Sequence, residues 1–173
     1  IAMHASLTGH LVFSTLHTNN APGTIPRLID LGVAPNIIAP AINIAIAQRL
    51  VRVLCPHCKQ VAEPTEEQKK QILESVSTIP TSYNVPPLDN IKIYVPVGCD
   101  LCNHTGYRGR LGIFEAFLID DEIEKLILQN PSEAEVRGVA LKQGMCTLQQ
   151  DGFLKILAGL TSFDELERIA GLE

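Results

Sequence analysis

The chain has 173 residues, of which 46% are hydrophobic and 5% aromatic, with no Trp. That is enough for one domain, or one and a half small ones, around an aliphatic core of Ile, Leu, Val and Ala. A formal charge of -5 argues against a dedicated nucleic-acid binder, because phosphate neutralisation needs surplus Lys and Arg.

The first residue is Ile and not Met, so an upstream part of a longer protein is expected; no signal peptide or twin-arginine leader is visible. Ile1 to Leu7 reads as the end of a helix, stopped by Thr8-Gly9. Leu11-Val12-Phe13 is apolar throughout, which suits a strand in the buried centre of a parallel sheet covered by helices on both faces. Ser14, Thr15, His17 and Thr18 follow where that strand runs out. Ligands of open α/β sheets collect beyond the carboxyl ends of strands, and the next helix offers unpaired N–H groups to an anion. This stretch is therefore a candidate phosphate or nucleotide edge. The alternative for His17 is a strand-end histidine bonded to neighbouring backbone.

Asn20 can cap a helix running through Pro22 and Ile25 to Leu31, with Gly32 as its stop. Ile38, Ile42, Ala45, Ile46 and Leu50 recur at three- and four-residue steps and predict a second helix, which Pro40 starts or kinks. Gln48, Arg49 and Arg52 read as its solvated end. The apolar stretch from Ile37 to Ala47 is broken by Pro40 and Asn43 and falls short of the ~20 residues of a membrane span, so a soluble chain is expected.

Cys55 and Cys58 in Leu-Cys-Pro-His-Cys-Lys, and Cys99 and Cys102 in Gly-Cys-Asp-Leu-Cys-Asn, make the clearest chemical statement. Two residues between paired cysteines let both thiolates of a turn face one ion, and two such turns supply the four ligands of a closed structural Zn²⁺ site. Disulfides, unrelated buried thiols and an iron thiolate centre are the alternatives. Zinc-type spacing points to a reducing compartment. Residues 59–98 lie between the knuckles, so the metal is expected to staple the base of an inserted arm. His57 and His104 read as solvated bystanders.

Within the arm, Thr65 to Val76 reads as a polar helix, and Thr78 to Asn90, with Pro80, Pro86 and Pro87, as a loop. Ile91, Ile93 and Val95 alternate with Lys92 and Tyr94, the period of a half-buried strand. Thr105 to Arg110 is a basic turn that feeds a strand from Leu111 to Leu118; a turn needing its two glycines is favoured over phosphate binding. From Asp120 onward come short helices. Asp120 starts one, and Ser132 to Glu135, Thr147 to Gln150 and Ser162 to Glu165 form three capping boxes. A small helical bundle is expected there, with Cys146 as a buried small hydrophobe.

These residues carry a resemblance that covers nearly the whole chain. Ala5-Ser6-Leu7-Thr8-Gly9-His10 running into Ser14-Thr15-Leu16-His17-Thr18-Asn19-Asn20-Ala21 resembles the His box of the secretion ATPases that drive type IV pilus assembly and type II secretion. Gln48-Arg49-Leu50 before the first knuckle, Thr105-Gly106-Tyr107 after the second, and Asp151-Gly152 ahead of Gly159-Leu160-Thr161 are similar to that family in order and spacing. Retraction ATPases of the same superfamily resemble it less, because they lack the tetracysteine arm.

The resemblance implies an α/β fold: the C-terminal part of a RecA-like P-loop NTPase domain (residues 1–54), a zinc-binding arm (55–112) and a helical C-terminal subdomain (113–173). It implies structural Zn²⁺ on Cys55, Cys58, Cys99 and Cys102, with ATP and Mg²⁺ as cofactors of the full-length protein. His17 becomes the catalytic-site histidine, with Thr15, Gln48 and Arg49 beside the nucleotide. The implied partners are a homo-hexamer and the inner-membrane platform and cytoplasmic assembly proteins of a pilus or secretion system, without nucleic acid. The implied place is the cytoplasm, peripheral at the inner membrane. No Gly-x-x-x-x-Gly-Lys-Ser/Thr occurs in these residues, so the chain alone is expected to be inactive. A free-standing zinc-ribbon module binding nucleic acid or protein, and a rubredoxin-like electron carrier, are the readings from other classes.

Overall fold

Local hydrogen-bonding signals set most of the helix boundaries. In the computed structural model, which describes residues 2–171, helix α1 spans Ala2–Leu7 and ends before Gly9 at φ 88. Ile1, expected in that helix, lies outside the described residues. Asn20 Oδ1 accepts from the amide of Gly23, the residue that caps α2 (Thr24–Asp30). Gly32 at φ 81 ends it: its N–H bonds the carbonyl of Ile29, and the Val33 N–H bonds that of Leu28. This is the double C-terminal bond that a left-handed glycine permits. Helix α3 (Pro35–Ala41) begins on Pro35, where a missing N–H costs nothing, and carries Pro40 in its last turn.

The chain then departs from the helical reading, because β1 is a strand over Ile44–Leu54. Ile44, Ile46, Val51 and Val53 are β-branched and fit a pleated surface, and pairing with β4 (Tyr107–Leu118) decides between two periods that the same apolar residues satisfy. Gln48 and Arg49 are thus exposed strand residues and not a helix end. Leu11-Val12-Phe13 corrects in the opposite sense. It is irregular, with Leu11 82% and Phe13 88% exposed, so the expected buried parallel strand is absent among the described residues. A strand needs a ladder partner, and the two sheets described here pair β1 with β4 and β2 with β3.

Strand β2 (Gln60–Ala62) pairs antiparallel with β3 (Ile93–Val95), Val61 opposite Tyr94. Helix α4 (Glu66–Ser77) starts on a capping box between Thr65 and Gln68. The basic turn proves to be the beginning of β4, with Gly109 at φ 85 inside the strand. Helices α5 (Asp121–Ile127), α6 (Glu133–Gln143), α7 (Leu148–Leu157) and α8 (Phe163–Ala170) start on Asp120, Ser132, Thr147 and Ser162. The boxes at Ser132 and Thr147 are reciprocal. At Ser162 the hydroxyl accepts from the Glu165 amide, and the Glu165 carboxylate bonds arginines instead.

The chain forms two compact units, each discontinuous in sequence. Residues 1–47 and 115–145 make one, whose core joins Ile25, Leu28, Ile38, Phe117, Ile123 and Val136. Residues 48–114 and 146–173 make the other, where α7 packs on α4, α8 and β3 and buries Ile72, Phe153, Ile156 and Leu166. The helices after Asp120 divide between the two units, α5 and α6 in the first and α7 and α8 in the second. The α5 stripe of Ile123 and Ile127 faces α3 and α6, whereas α7 closes against the arm's helix. No helix among the described residues is long and apolar enough to cross a membrane.

Candidate functional site

The four arm cysteines converge. The Sγ atoms of Cys55, Cys58, Cys99 and Cys102 all lie within 4.8 Å of one another. Cys55–Cys99 is 3.9 Å, and Cys58–Cys102 and Cys99–Cys102 are each 3.8 Å. Four Zn–S bonds of ~2.3 Å in a tetrahedron put their sulfurs about 3.8 Å apart, whereas a disulfide needs ~2.05 Å. The donor set and its spacing thus fit a single thiolate-bound metal ion and not a pair of disulfides.

Each knuckle is built by backbone bonds. In the first, the amides of Cys58 and Lys59 bond the Cys55 carbonyl at 3.3 and 3.0 Å. In the second, Asp100–Cys102 forms a 3₁₀ turn, followed by Asn103 and His104 at φ 52 and 59. The Cys55 amide bonds the Gly106 carbonyl at 2.9 Å, tying the two knuckles together. Two glycines make this crossing fit. A Cβ on Gly98 (φ 106) would lie 2.7 Å from the His104 carbonyl oxygen, and one on Gly106 (φ 76) 2.4 Å from Pro96 Cβ.

Amides also point at the sulfurs: Gly98 N–H at Cys58, and Cys99 and Gly106 N–H at Cys102, at 3.2 to 3.3 Å. Burial pushes the Cys102 thiol up, but the amides of Cys99 and Gly106 and the sulfurs of Cys99 and Cys58 outweigh it and leave it at about 6. Such donors favour the thiolate that a metal takes. Cys58 is pushed up to about 11, chiefly by burial, against the single amide of Gly98. His104 Nε2 lies 3.1 Å from Asp100 Oδ1 on the exposed side of its turn, and His57 is exposed.

A second polar constellation, not foreseen as a site, lies in the same unit. Arg52 Nε and Nη2 donate to Glu165 Oε2 at 2.9 and 2.7 Å, and Arg168 donates to both Glu165 oxygens at 3.0 and 2.7 Å. The Arg52 guanidinium stacks 4.1 Å over the Tyr107 ring, whose hydroxyl bonds Ser162 at 2.6 Å. The sequence marks Glu165 only as the last residue of a capping box; its partner Arg52 is 113 positions away.

The nucleotide-edge residues are placed less completely. Thr15 and His17 are exposed on irregular backbone in the 1–47/115–145 unit. Gln48 and Arg49 are exposed on β1 and belong to the other unit. Asn19 and Asn20 follow His17 in the bend before α2, where Asn20 also donates to Glu133 Oε1 at 2.6 Å. Buried Glu115 accepts from the Ala21 amide at 2.9 Å and so secures the end of this segment.

The family described as "Type II/IV secretion system protein" matches residues 1–168. The chain belongs to this family. It is 40% identical over 168 residues to the "Type IV pilus assembly ATPase PilB" of Myxococcus xanthus, covering 96% of this chain and 28% of that protein. It is 43% identical over 171 residues to the "Type II secretion system protein E" of Dickeya dadantii, covering 98% and 31%. It is 41% identical over 169 residues to the "Type II secretion system ATPase E" of Vibrio cholerae, again covering 98% and 31%. The chain thus spans about three tenths of the length of these curated relatives.

In this member of the type II/IV secretion family, the later motif residues do structural work. Asp151 Oδ2 accepts from the Phe114 amide at 2.7 Å and pairs with Lys155. Gly152 lets α8 approach, since a Cβ there would lie 2.2 Å from Leu166 Cδ1. Gly159, at φ 66, stands against the Tyr94 ring.

Proposed function

We propose that the chain is part of a motor ATPase coupling ATP hydrolysis to type IV pilus assembly or type II protein secretion. The observation that carries this reading is identity of 40 to 43% across nearly the whole chain to proteins named as pilus-assembly and secretion components. In sequence order, residues 1–54 supply the His-box side of a nucleotide site, 55–112 a zinc-held arm and 113–173 the C-terminal helices. Cys55, Cys58, Cys99 and Cys102 hold Zn²⁺. The metal supplies cross-linking of the arm's base and no reaction chemistry, because four thiolates leave a closed coordination sphere.

His17 is the catalytic-site histidine. An imidazole exposed on the irregular segment that precedes α2 can donate to a γ-phosphate oxygen as charge develops there. By the same family resemblance Thr15, Gln48 and Arg49 are nucleotide-binding residues of the full-length protein, where ATP with Mg²⁺ undergoes attack by water. The 173-residue chain by itself does not hydrolyse ATP, since phosphates in such folds are held by a backbone cradle and lysine that these residues lack. In the full-length protein the assembly is a homo-hexamer in the cytoplasm. It sits at the inner membrane through platform and assembly proteins, and nucleic acid is not a partner.

ATP turnover of the full-length protein carrying His17→Ala tests the reading. Turnover falls far more than nucleotide affinity if His17 acts in the transition state, and equal losses would reduce it to a structural support.

A further inference from the structure

Outside the sulfur cage, one lysine joins three parts of the unit formed by residues 48–114 and 146–173. Lys59 directly follows Cys58, and its amide closes the first knuckle's turn on the Cys55 carbonyl. Its side chain leaves the knuckle. Nζ donates to the Gly159 carbonyl at 2.7 Å and lies 4.6 Å from the centre of the Tyr94 ring. Tyr94 belongs to β3, the strand that leads into the second knuckle, and stands opposite Val61 of β2, which leaves the first. Gly159 is the turn between α7 and α8, and a Cβ on it would lie 2.7 Å from that ring. The grip continues along the turn. The Leu54 amide bonds the Leu160 carbonyl, and the Thr161 hydroxyl bonds the Arg52 carbonyl, each at 2.9 Å. The turn at residues 159–161 is therefore bonded to the chain immediately before and immediately after the first cysteine pair.

We propose that the contact of Lys59 with Gly159 and Tyr94 is a positioning clamp that couples metal retention at the four cysteines to the seating of the α7–α8 turn and α8. The inference rests on the zinc reading above. A bound metal holds the first knuckle in one backbone geometry, and the clamp holds the same geometry from outside, so each lowers the ordering cost of the other. Such coupling is reciprocal. Loss of the clamp weakens metal retention, and loss of the metal loosens the turn by the same factor.

The test uses the full chain loaded with zinc and challenged with a coloured chelator. Lys59→Met keeps the aliphatic stem and removes the charge and donor; it is expected to release zinc about tenfold faster, the lower end of the effect of losing a supporting partner around a metal site. Lys59→Arg, which restores a cation over the ring, is expected to return most of the wild-type rate. Hydrogen exchange of amides 160–166 is expected to rise when zinc is stripped from the wild type, and to be raised already in zinc-loaded Lys59→Met. Zinc-loaded wild type with a Lys59→Met release rate equal to its own overturns the clamp and leaves the zinc reading standing, as does a fall in melting temperature without faster release. A wild-type chain that binds no zinc overturns the zinc reading itself. Should Lys59→Met fail to fold, unchanged exchange at 160–166 on stripping the wild type overturns the proposal.

Discussion

Arg52 and Glu165, 113 residues apart in sequence, meet through both backbone and side chain: the Arg52 amide donates to Glu165 Oε1 at 2.9 Å while its guanidinium holds Oε2. With Arg168 on the other side, the carboxylate is fully buried yet accepts from three directions. This places α8 against the strand that runs into Cys55.

Replacing Glu165 by Gln is expected to destabilise the chain by about 2 kcal/mol, measured by urea unfolding. Breaking a fully buried pair costs ~3–5 kcal/mol. The lower figure reflects the exposure of the Arg52 and Arg168 side chains, 45% and 55%, which lets water partly replace the lost acceptor.

Acid should act through the same residue. Burial alone would push the Glu165 carboxyl up, but the guanidiniums of Arg168 and Arg52 and the Arg52 amide hold it at about 2, below its usual 4.5. A carboxyl depressed on folding contributes stability that is complete above its unfolded value and is lost as pH falls through the folded one. Stability should therefore decline from about pH 4.5 towards pH 2. Asp120, held down by the Ile123 amide, and Glu135, held down by the Ser132 amide, add to the same slope. Glu165→Gln should flatten the profile in that window; an unchanged slope would assign the acid sensitivity to the other carboxylates.

Metal removal should loosen the arm. Structural zinc sites carry apparent binding energies of ~10–16 kcal/mol, so chelation or Cys55→Ser is expected to open the region between Val53 and Arg110 to limited proteolysis. Elemental analysis of the purified chain should find zinc, and a chain with neither zinc nor iron would refute the assignment.

Glycine substitutions separate space from strain. Gly106→Ala meets Pro96 as well as an unfavourable φ of 76, whereas Gly109→Ala, at φ 85, meets open space. The second should cost about 1 kcal/mol, the ordinary penalty of a left-handed residue. The first should cost at least about twice that and lower zinc retention, because the Gly106 amide and carbonyl serve Cys102 and Cys55. Thermal melts and chelator competition on both variants provide the comparison.

The 173-residue chain should bind ATP no more tightly than about millimolar, a few kcal/mol. Thr15 and His17 are exposed on irregular backbone, so a flexible triphosphate gains few contacts there. Saturable micromolar binding in a calorimetric titration would remove His17 from its proposed role.

What the sequence determined by itself is what neighbouring residues decide among themselves. Thr65, Asp120, Ser132, Thr147 and Ser162 start their helices because a side-chain oxygen reaches an amide two or three residues on. Gly32 stops α2 for an equally local reason. The cysteine pairs encode their convergence because each two-residue spacing already makes half of a tetrahedron. Only the tertiary structure decided the rest, since a strand's energy lies in a partner remote in sequence. Residues 44–54 fit helix and strand periods alike and became β1 because β4 pairs with them. Leu11-Val12-Phe13 has strand composition and, with no ladder partner among the described residues, stays irregular. Glu165 looks like half of a capping box, and packing turned it into the buried acceptor of Arg52 and Arg168. Nothing in the local start signals of the helices after Asp120 says which partner each takes, and packing decided it, α5 against α3 and α7 against α4.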